Sequence, residues 1–346
     1  MKLGEVPILD TLKKIPGGIM FIPLLVGATI NTFFPALVDP KVTTTIAGSL
    51  WVKWFKEGAL CLIAMLLVCT GAQISFKSSP MAFYKGMVIN FSKVILGVVP
   101  AMIVGRLYGP TGTVCGLSAL ALVNMSNSNG GLYGGLVSHY GDKEDLGALA
   151  IISTNDGPFY EMCSLAGAGV AVIPWQMLLA TIAPVLFGML LGNLDKKMAK
   201  FLEPGIFISI FLFSFPLGCG LNFGKAIAAG GPGVLLALLT LLITGVGGYF
   251  LYMIFIPKKH RVTCVPGAAV GSIAGNAVAT PAAIASADPR FAPVLESATI
   301  QVVAAILICA VCCPILCNFL FKLEEKATGH KIDLKGVDYT EEEHKI

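Results

Sequence analysis

The chain has 346 residues, of which 55% are hydrophobic and only 13% charged, with a mean hydropathy of +0.81. Soluble domains carry about 25% charged residues, so this composition argues against a water-soluble enzyme. Apolar runs of bilayer-spanning length recur from residue 15 to residue 321, which reads as a polytopic membrane protein. The formal net charge of +4 comes from cations in short loops and carries no nucleic-acid signature.

Ten spans are predicted, at 15–37, 50–73, 82–107, 113–140, 145–170, 174–192, 205–222, 232–256, 263–286 and 292–321. The first is too long for a secretory h-region and has no A-x-A cleavage site. Trp51, Trp54 and Phe55, mixed with Lys53 and Lys56, read as an interfacial belt at the second span. Val172-Ile173-Pro174 leaves only a short turn between the fifth and sixth. The ten cysteines offer no pair of CxxC motifs, so neither a metal site nor a disulfide framework is indicated. Of the 24 Lys and Arg residues, 16 fall in the tails and loops on the N-terminal side and six on the other, which places both termini in the cytoplasm. The two left over, Lys85 and Lys93, lie inside the third span; Lys85, nearer its end, is expected to snorkel.

The two halves of the chain resemble each other in order. Ile15-Pro16 matches Ile173-Pro174, Gly71-Ala72-Gln73 matches Gly220-Leu221-Asn222, Cys115 matches Cys264, and Asn129 matches Asn276. Five spans per half is an odd number, so the second half is inverted relative to the first, as in many secondary transporters. The expected units are an N-terminal tail (1–14), a first five-helix repeat (15–170), a second, inverted one (171–321) and a C-terminal tail (322–346).

Two spans look interrupted. The fourth contains Asn124-Met125-Ser126-Asn127-Ser128-Asn129-Gly130-Gly131 and the ninth contains Gly271-Ser272-Ile273-Ala274-Gly275-Asn276-Ala277-Val278-Ala279-Thr280-Pro281. Such backbone at membrane depth is tolerated only inside protein or against a watered cavity. The N-termini of the second half-helices suit a carboxylate, and the carbonyl ends of the first suit hydroxyls or a cation. Asn127, Ser128, Asn129 and Gly130, with Ser272, Asn276 and Thr280, are the expected substrate-binding residues, joined by Thr154 and Asn155 from the fifth span. Lys93, Asp156, Glu161 and Glu296 are ionisable groups within the spans. Each costs at least about 2.5–3.5 kcal/mol in hydrocarbon, so they should face protein or water and are the coupling residues to consider. Asp156, beside Gly157-Pro158, is the favoured proton carrier, the alternative being a fixed Lys93–Asp156 ion pair.

Ile15-Pro16-Gly17-Gly18-Ile19-Met20, Asn129-Gly130-Gly131-Leu132-Tyr133, Tyr140-Gly141-Asp142-Lys143-Glu144, Gly157-Pro158, Gly192-Asn193-Leu194-Asp195 and Ala277-Val278-Ala279-Thr280-Pro281 resemble the bacterial 2-keto-3-deoxygluconate permease family over about residues 13–320. The resemblance implies proton-coupled uptake of that sugar acid across the inner membrane, without a cofactor. It also implies a fold similar to the bile-acid/sodium symporters and sodium/proton antiporters: a core of helices 3–5 and 8–10, with helices 4 and 9 broken and crossing, and a panel of helices 1–2 and 6–7. Sodium in place of the proton is the alternative, because a broken-helix crossing can hold either ion. A membrane-embedded enzyme is the remaining reading, and the sequence shows no nucleophile, metal or acid–base constellation for it. The partners are then a small anionic sugar acid and the lipid bilayer; monomer and oligomer are both compatible with the sequence.

Overall fold

The computed structural model describes residues 7–14, 18–37, 54, 58–74, 80–155, 157–219 and 223–328. Asp156, the Ile15-Pro16 and Gly220-Leu221-Asn222 members of the repeat matches, all of the aromatic belt except Trp54, and the tail beyond residue 328 lie outside the described residues. The described residues are almost wholly helical. Five helical stretches are long and apolar enough to cross a membrane: Pro80–Tyr108, Trp175–Leu194, Lys196–Pro216, Gly230–Phe255 and Pro289–Ala327. Shorter apolar helices cover Ile22–Phe33 and Cys61–Gln73. The chain is an all-α integral membrane protein.

The helices pack in two groups. Gly18–Phe33, Gly58–Gln73, Trp175–Leu194 and Lys196–Gly218 pack on one another, with backbones close enough that small residues are required. A Cβ at Gly188 would meet the Val68 carbonyl oxygen, and one at Gly192 the Ala72 oxygen; this is the small-x-x-x-small contact that replaces hydrophobic drive between membrane helices. The second group surrounds Pro80–Tyr108 and Leu295–Thr328 and contains the larger buried apolar cluster, running from Ile89 and Leu120 to Val302 and Cys313.

Both polar stretches interrupt their helices. Ala119–Leu122, capped by the Ser118 hydroxyl, tightens into a 3₁₀ turn at Val123–Ser126 and then stops. Asn127 and Asn129 are extended, and a new helix runs from Gly130 to Tyr140. In the later stretch, Val265–Ala268 ends, Ala274 is extended, a 3₁₀ turn covers Gly275–Ala279, and Thr280–Ala287 resumes as α-helix. Asn and Ser side chains compete for backbone hydrogen bonds, and that competition stops a helix. Ala119–Leu122 touches Thr280–Ala287, and Val265–Ala268 touches Gly130–Tyr140, so the half-helices of each stretch lie against those of the other.

Residues 113–118, expected within a span, instead form an antiparallel hairpin, Thr113–Val114 paired with Leu117–Ser118. Its two-residue turn puts Cys115 at φ 51 and Gly116 at φ 80, the positive values that a tight hairpin needs to match strand twist. A second difference is the Thr240–Val246 segment, a π-helical turn inside the helix that runs from Phe223 to Phe255.

Loops are fastened across helix ends. Arg106 donates to the Ala168 carbonyl, Gln301 to the Gly116 carbonyl, and the Val172 amide to Asp288. Asp288 also accepts from the Arg290 guanidinium at 2.6 Å and 2.9 Å and is 4% exposed. These bonds, the guanidinium first, outweigh desolvation and hold its carboxyl at about 2, below the usual 3.8. A folded-state value below the unfolded one stabilises above the unfolded pKa, and the contribution disappears as pH falls through the folded one. Asp288→Asn is therefore expected to lower the unfolding temperature most near neutral pH. That deficit should shrink between about pH 4 and pH 2; a deficit independent of pH would mean that packing, not charge, holds the loop.

Candidate functional site

The two interruptions meet around Lys93. This side chain comes from the middle of Pro80–Tyr108 and is completely buried. Its ammonium donates to Thr244 Oγ1 at 2.9 Å and to the Ser272 carbonyl at 2.9 Å. Thr244 lies in the π-helical turn and itself donates to the Thr240 carbonyl. One turn beyond Lys93, Gly97 packs so closely on Met125 and Ser126 that a Cβ would strike their backbone. The helix carrying the lysine is thus pressed against the first interruption while the lysine itself holds the second.

The first interruption is tied to the segment after it by exchanged amide bonds. Asn127 Nδ2 donates to the Asn155 carbonyl at 3.2 Å; Asn155 Nδ2 donates to the Ser126 carbonyl at 2.7 Å and to Ser128 Oγ at 3.2 Å. Ser126 donates to Glu161 Oε1 at 3.1 Å. Lys93 and Glu161 have no measurable exposure. Gly157, at φ 116, supplies the bend that lets Phe159–Gly167 restart as a helix after Asn155.

Many oxygens here have no donor. Asn127 Oδ1, Asn155 Oδ1, Glu161 Oε2, Ser272 Oγ, Asn276 Oδ1 and Thr280 Oγ1 are buried without a hydrogen-bond partner. A buried acceptor left unpaired costs about 1–3 kcal/mol, so each of these six is able to accept from a bound molecule or a water. Gly275–Ala279 and Ser153–Asn155 both lie against Gly58–Gln73, so Asn155 and Asn276 sit where the two groups of helices meet.

Of the residues singled out in the sequence, Asn127, Ser128, Asn155 and Glu161 are joined by the hydrogen bonds above, and Lys93 reaches the Ser272 backbone. Asn129 has a different occupation. Its Oδ1 accepts from the Leu132 amide at 3.0 Å, which makes it the N-cap of Gly130–Tyr140. Thr154 is engaged locally, with the Ile151 carbonyl and the Tyr160 hydroxyl. Glu296 lies in the first turn of Leu295–Thr328 and is half-buried. Asp156 lies outside the described residues.

Lys85 does not snorkel. It is wholly buried and paired with Asp142 at 2.6 Å, Asp145 at 3.3 Å and Glu144 at 3.5 Å. Asp142 and Asp145 cap the turn between them reciprocally, and Tyr252 donates to Asp145. The carboxylates fold back over the start of Pro80–Tyr108, so the ammonium meets protein before it can reach water. Sequence reasoning also missed Thr244 and Tyr252. The Thr240/Thr244 pair, one turn apart in an otherwise apolar run, was the available signal.

Residues 9–326 match the 2-keto-3-deoxygluconate permease family. The chain is 41% identical over 316 residues to 2-keto-3-deoxygluconate permease 1 of Salmonella typhimurium, covering 91% of this chain and 96% of that one. It is 37% identical over 310 residues to the 2-keto-3-deoxygluconate permease of Bacillus subtilis, covering 88% and 91%. With that of Xanthomonas oryzae pv. oryzae it shares 32% identity over 312 residues, covering 88% and 94%. The family and its relatives are permeases, not enzymes, and the chain belongs to the 2-keto-3-deoxygluconate permease family.

Proposed function

We propose that the protein takes up 2-keto-3-deoxygluconate together with protons across the bacterial inner membrane, by alternating access. The observation that carries this reading is the set of donorless oxygens at Asn127, Asn155, Ser272, Asn276 and Thr280. A polyhydroxy acid brings hydroxyl donors to such acceptors. Its carboxylate is matched by the amide end of Gly130–Tyr140 and by the Lys93 ammonium. Gly130, Ser128, Asn129 and Thr154 complete the site's walls. The acceptors have no open path to solvent, since Asn127, Asn155, Ser272 and Thr280 are fully buried. Access therefore requires the helix group carrying the interruptions to move against the Gly58–Gln73 group.

In this reading the chain has ten spans in two inverted repeats, with a core that carries the crossing and a flanking panel. The paired interruptions support it, as does the gathering of alternate loops. Arg106 bonds Ala168 and Val172 bonds Asp288, whereas Lys85, Asp142, Asp145 and Tyr252 form a separate cluster. Both termini are then cytoplasmic. Sodium coupling is favoured by one feature: Asn127 Oδ1, Asn155 Oδ1 and Glu161 Oε2 are all oxygens lacking donors, a set suited to a hard cation.

Uptake into proteoliposomes under separate proton and sodium gradients tests the reading. Accumulation is expected with an inward proton gradient and not with sodium alone. Asn276→Ala should weaken substrate binding about tenfold, because one buried amide is lost, with an unchanged unfolding temperature. Asn129→Ser should weaken binding while keeping the helix cap, which Asn129→Ala would also remove at about 1 kcal/mol. Unaltered affinity in both Asn276→Ala and Asn129→Ser would place the substrate elsewhere.

A further inference from the structure

Away from the crossing, an apolar groove of about 740 Å³ opens on the outer side of Lys196–Gly218. Ile8, Leu9 and Leu12 of the short N-terminal helix form one wall, and Pro204, Phe207, Ile208 and Phe211 the other. Most of these side chains are exposed: Ile8 by 62%, Phe207 by 62% and Ile208 by 50%. Apolar exposure alone is ordinary on a helix that faces lipid; what continues the groove toward the start of the helix is not.

At 3.6 residues per turn, positions 197, 200, 204, 207 and 211 fall on one face. That face reads Lys-Lys-Pro-Phe-Phe, with both lysines exposed and immediately before the apolar part. Two acids border it: Asp195 Oδ1 accepts from the Lys197 amide at 2.8 Å, and Glu203 is one turn from Lys200 and about 40° from Phe207. With the exposed Lys196, three cations face these two carboxylates, so the start of the helix stays net positive. The apolar part, residues 204–212, is about 12 Å long. A basic end joined to an apolar channel along one helix face has the polarity of a single amphiphile with an anionic head.

We propose that this groove is a binding site for an anionic glycerophospholipid, with one acyl chain between the N-terminal helix and Phe207, Ile208 and Phe211, and its phosphate at Lys197 and Lys200. The charge stripe selects this occupant. A zwitterionic lipid brings the same phosphate with its own cation beside it, so it gains less from the lysines, and a second copy of the chain would have to bring its own anion to them. The bound chain bridges the N-terminal helix to Lys196–Gly218, so the lipid acts on the group of helices against which the crossing moves.

The test uses the full-length protein in neutral detergent, with phosphatidylglycerol and phosphatidylcholine of identical acyl chains as probes. Native mass spectrometry should show one phosphatidylglycerol retained where phosphatidylcholine is lost. The double variant Lys197→Gln/Lys200→Gln should bind phosphatidylglycerol roughly 30-fold more weakly, since each lysine near an anionic headgroup contributes about fivefold. Ile208→Trp, which fills the groove, should reduce binding of both lipids. All of these positions are exposed, so unfolding temperatures without added lipid should match that of the parent protein. Equal retention of the two lipids, or undiminished selectivity in the double variant, overturns the proposal. So does a dimer mass that Ile208→Trp splits, since a second copy then occupies the groove.

Discussion

Lys93→Met is expected to reduce uptake of 2-keto-3-deoxygluconate to background in a protein that still folds. Methionine matches the aliphatic stem and removes only the ammonium, whose bonds to Thr244 and to the Ser272 carbonyl are 2.9 Å each. Thr244 keeps its own acceptor, the Thr240 carbonyl, so the variant leaves no unpaired donor behind. If the ammonium receives the substrate's carboxylate, its loss removes a charge-assisted hydrogen bond worth about 1.5–3 kcal/mol, which is roughly 10- to 150-fold in affinity. A purely structural lysine would also lower transport, so the decisive measurement compares the sugar acid with its uncharged methyl ester. The parent protein should prefer the acid, and Lys93→Met should lose affinity for the acid far more than for the ester, leaving only the preference that the amide end of Gly130–Tyr140 supplies. If both ligands lose affinity by the same factor, the lysine is only a fastener between Pro80–Tyr108 and the second interruption.

The interruptions were legible in the sequence because their cause is local. Asn, Ser and Gly crowd into runs otherwise apolar, and the backbone breaks where their side chains compete for it, at Asn127–Asn129 and near Ala274. The choice of partners was not legible, because it depends on how distant segments pack. Lys85 illustrates this. Near the end of an apolar helix, a lysine reaches for water unless carboxylates come to it, and only the fold of residues 142–145 over that helix brings them. The hairpin at 113–118 was hidden for another reason. Val114, Cys115 and Leu117 look like membrane sequence by hydropathy, and nothing in a cysteine announces φ 51. Asn129 was recognised as important but given only the ligand's role, since a side chain that caps a helix and one that binds a sugar are written with the same letter.

Accumulation driven by a proton gradient is expected to vanish in Asp156→Asn while exchange of labelled for unlabelled substrate continues. A monoanion moving with one proton carries no net charge, so each pH unit across the membrane should concentrate it about tenfold. That ratio should fall to one in the variant. The location explains why this acid can couple. Its neighbour Asn155 holds the Ser126 carbonyl and Ser128, and its other neighbour, Gly157, is at φ 116. If Asp156 is the carrier, the route from its charge to the first interruption runs through Asn155, the next residue in the chain. Glu161 provides the comparison. One of its oxygens holds Ser126 and the other is unpartnered, so Glu161→Gln preserves a partner for the serine while removing the ionisable group. With Asp156 as the carrier, Glu161→Gln should still concentrate substrate about tenfold per pH unit. Should Asp156→Asn keep its proton-driven accumulation and Glu161→Gln lose it, the carrier is Glu161, and Asp156 serves only to hold the bend.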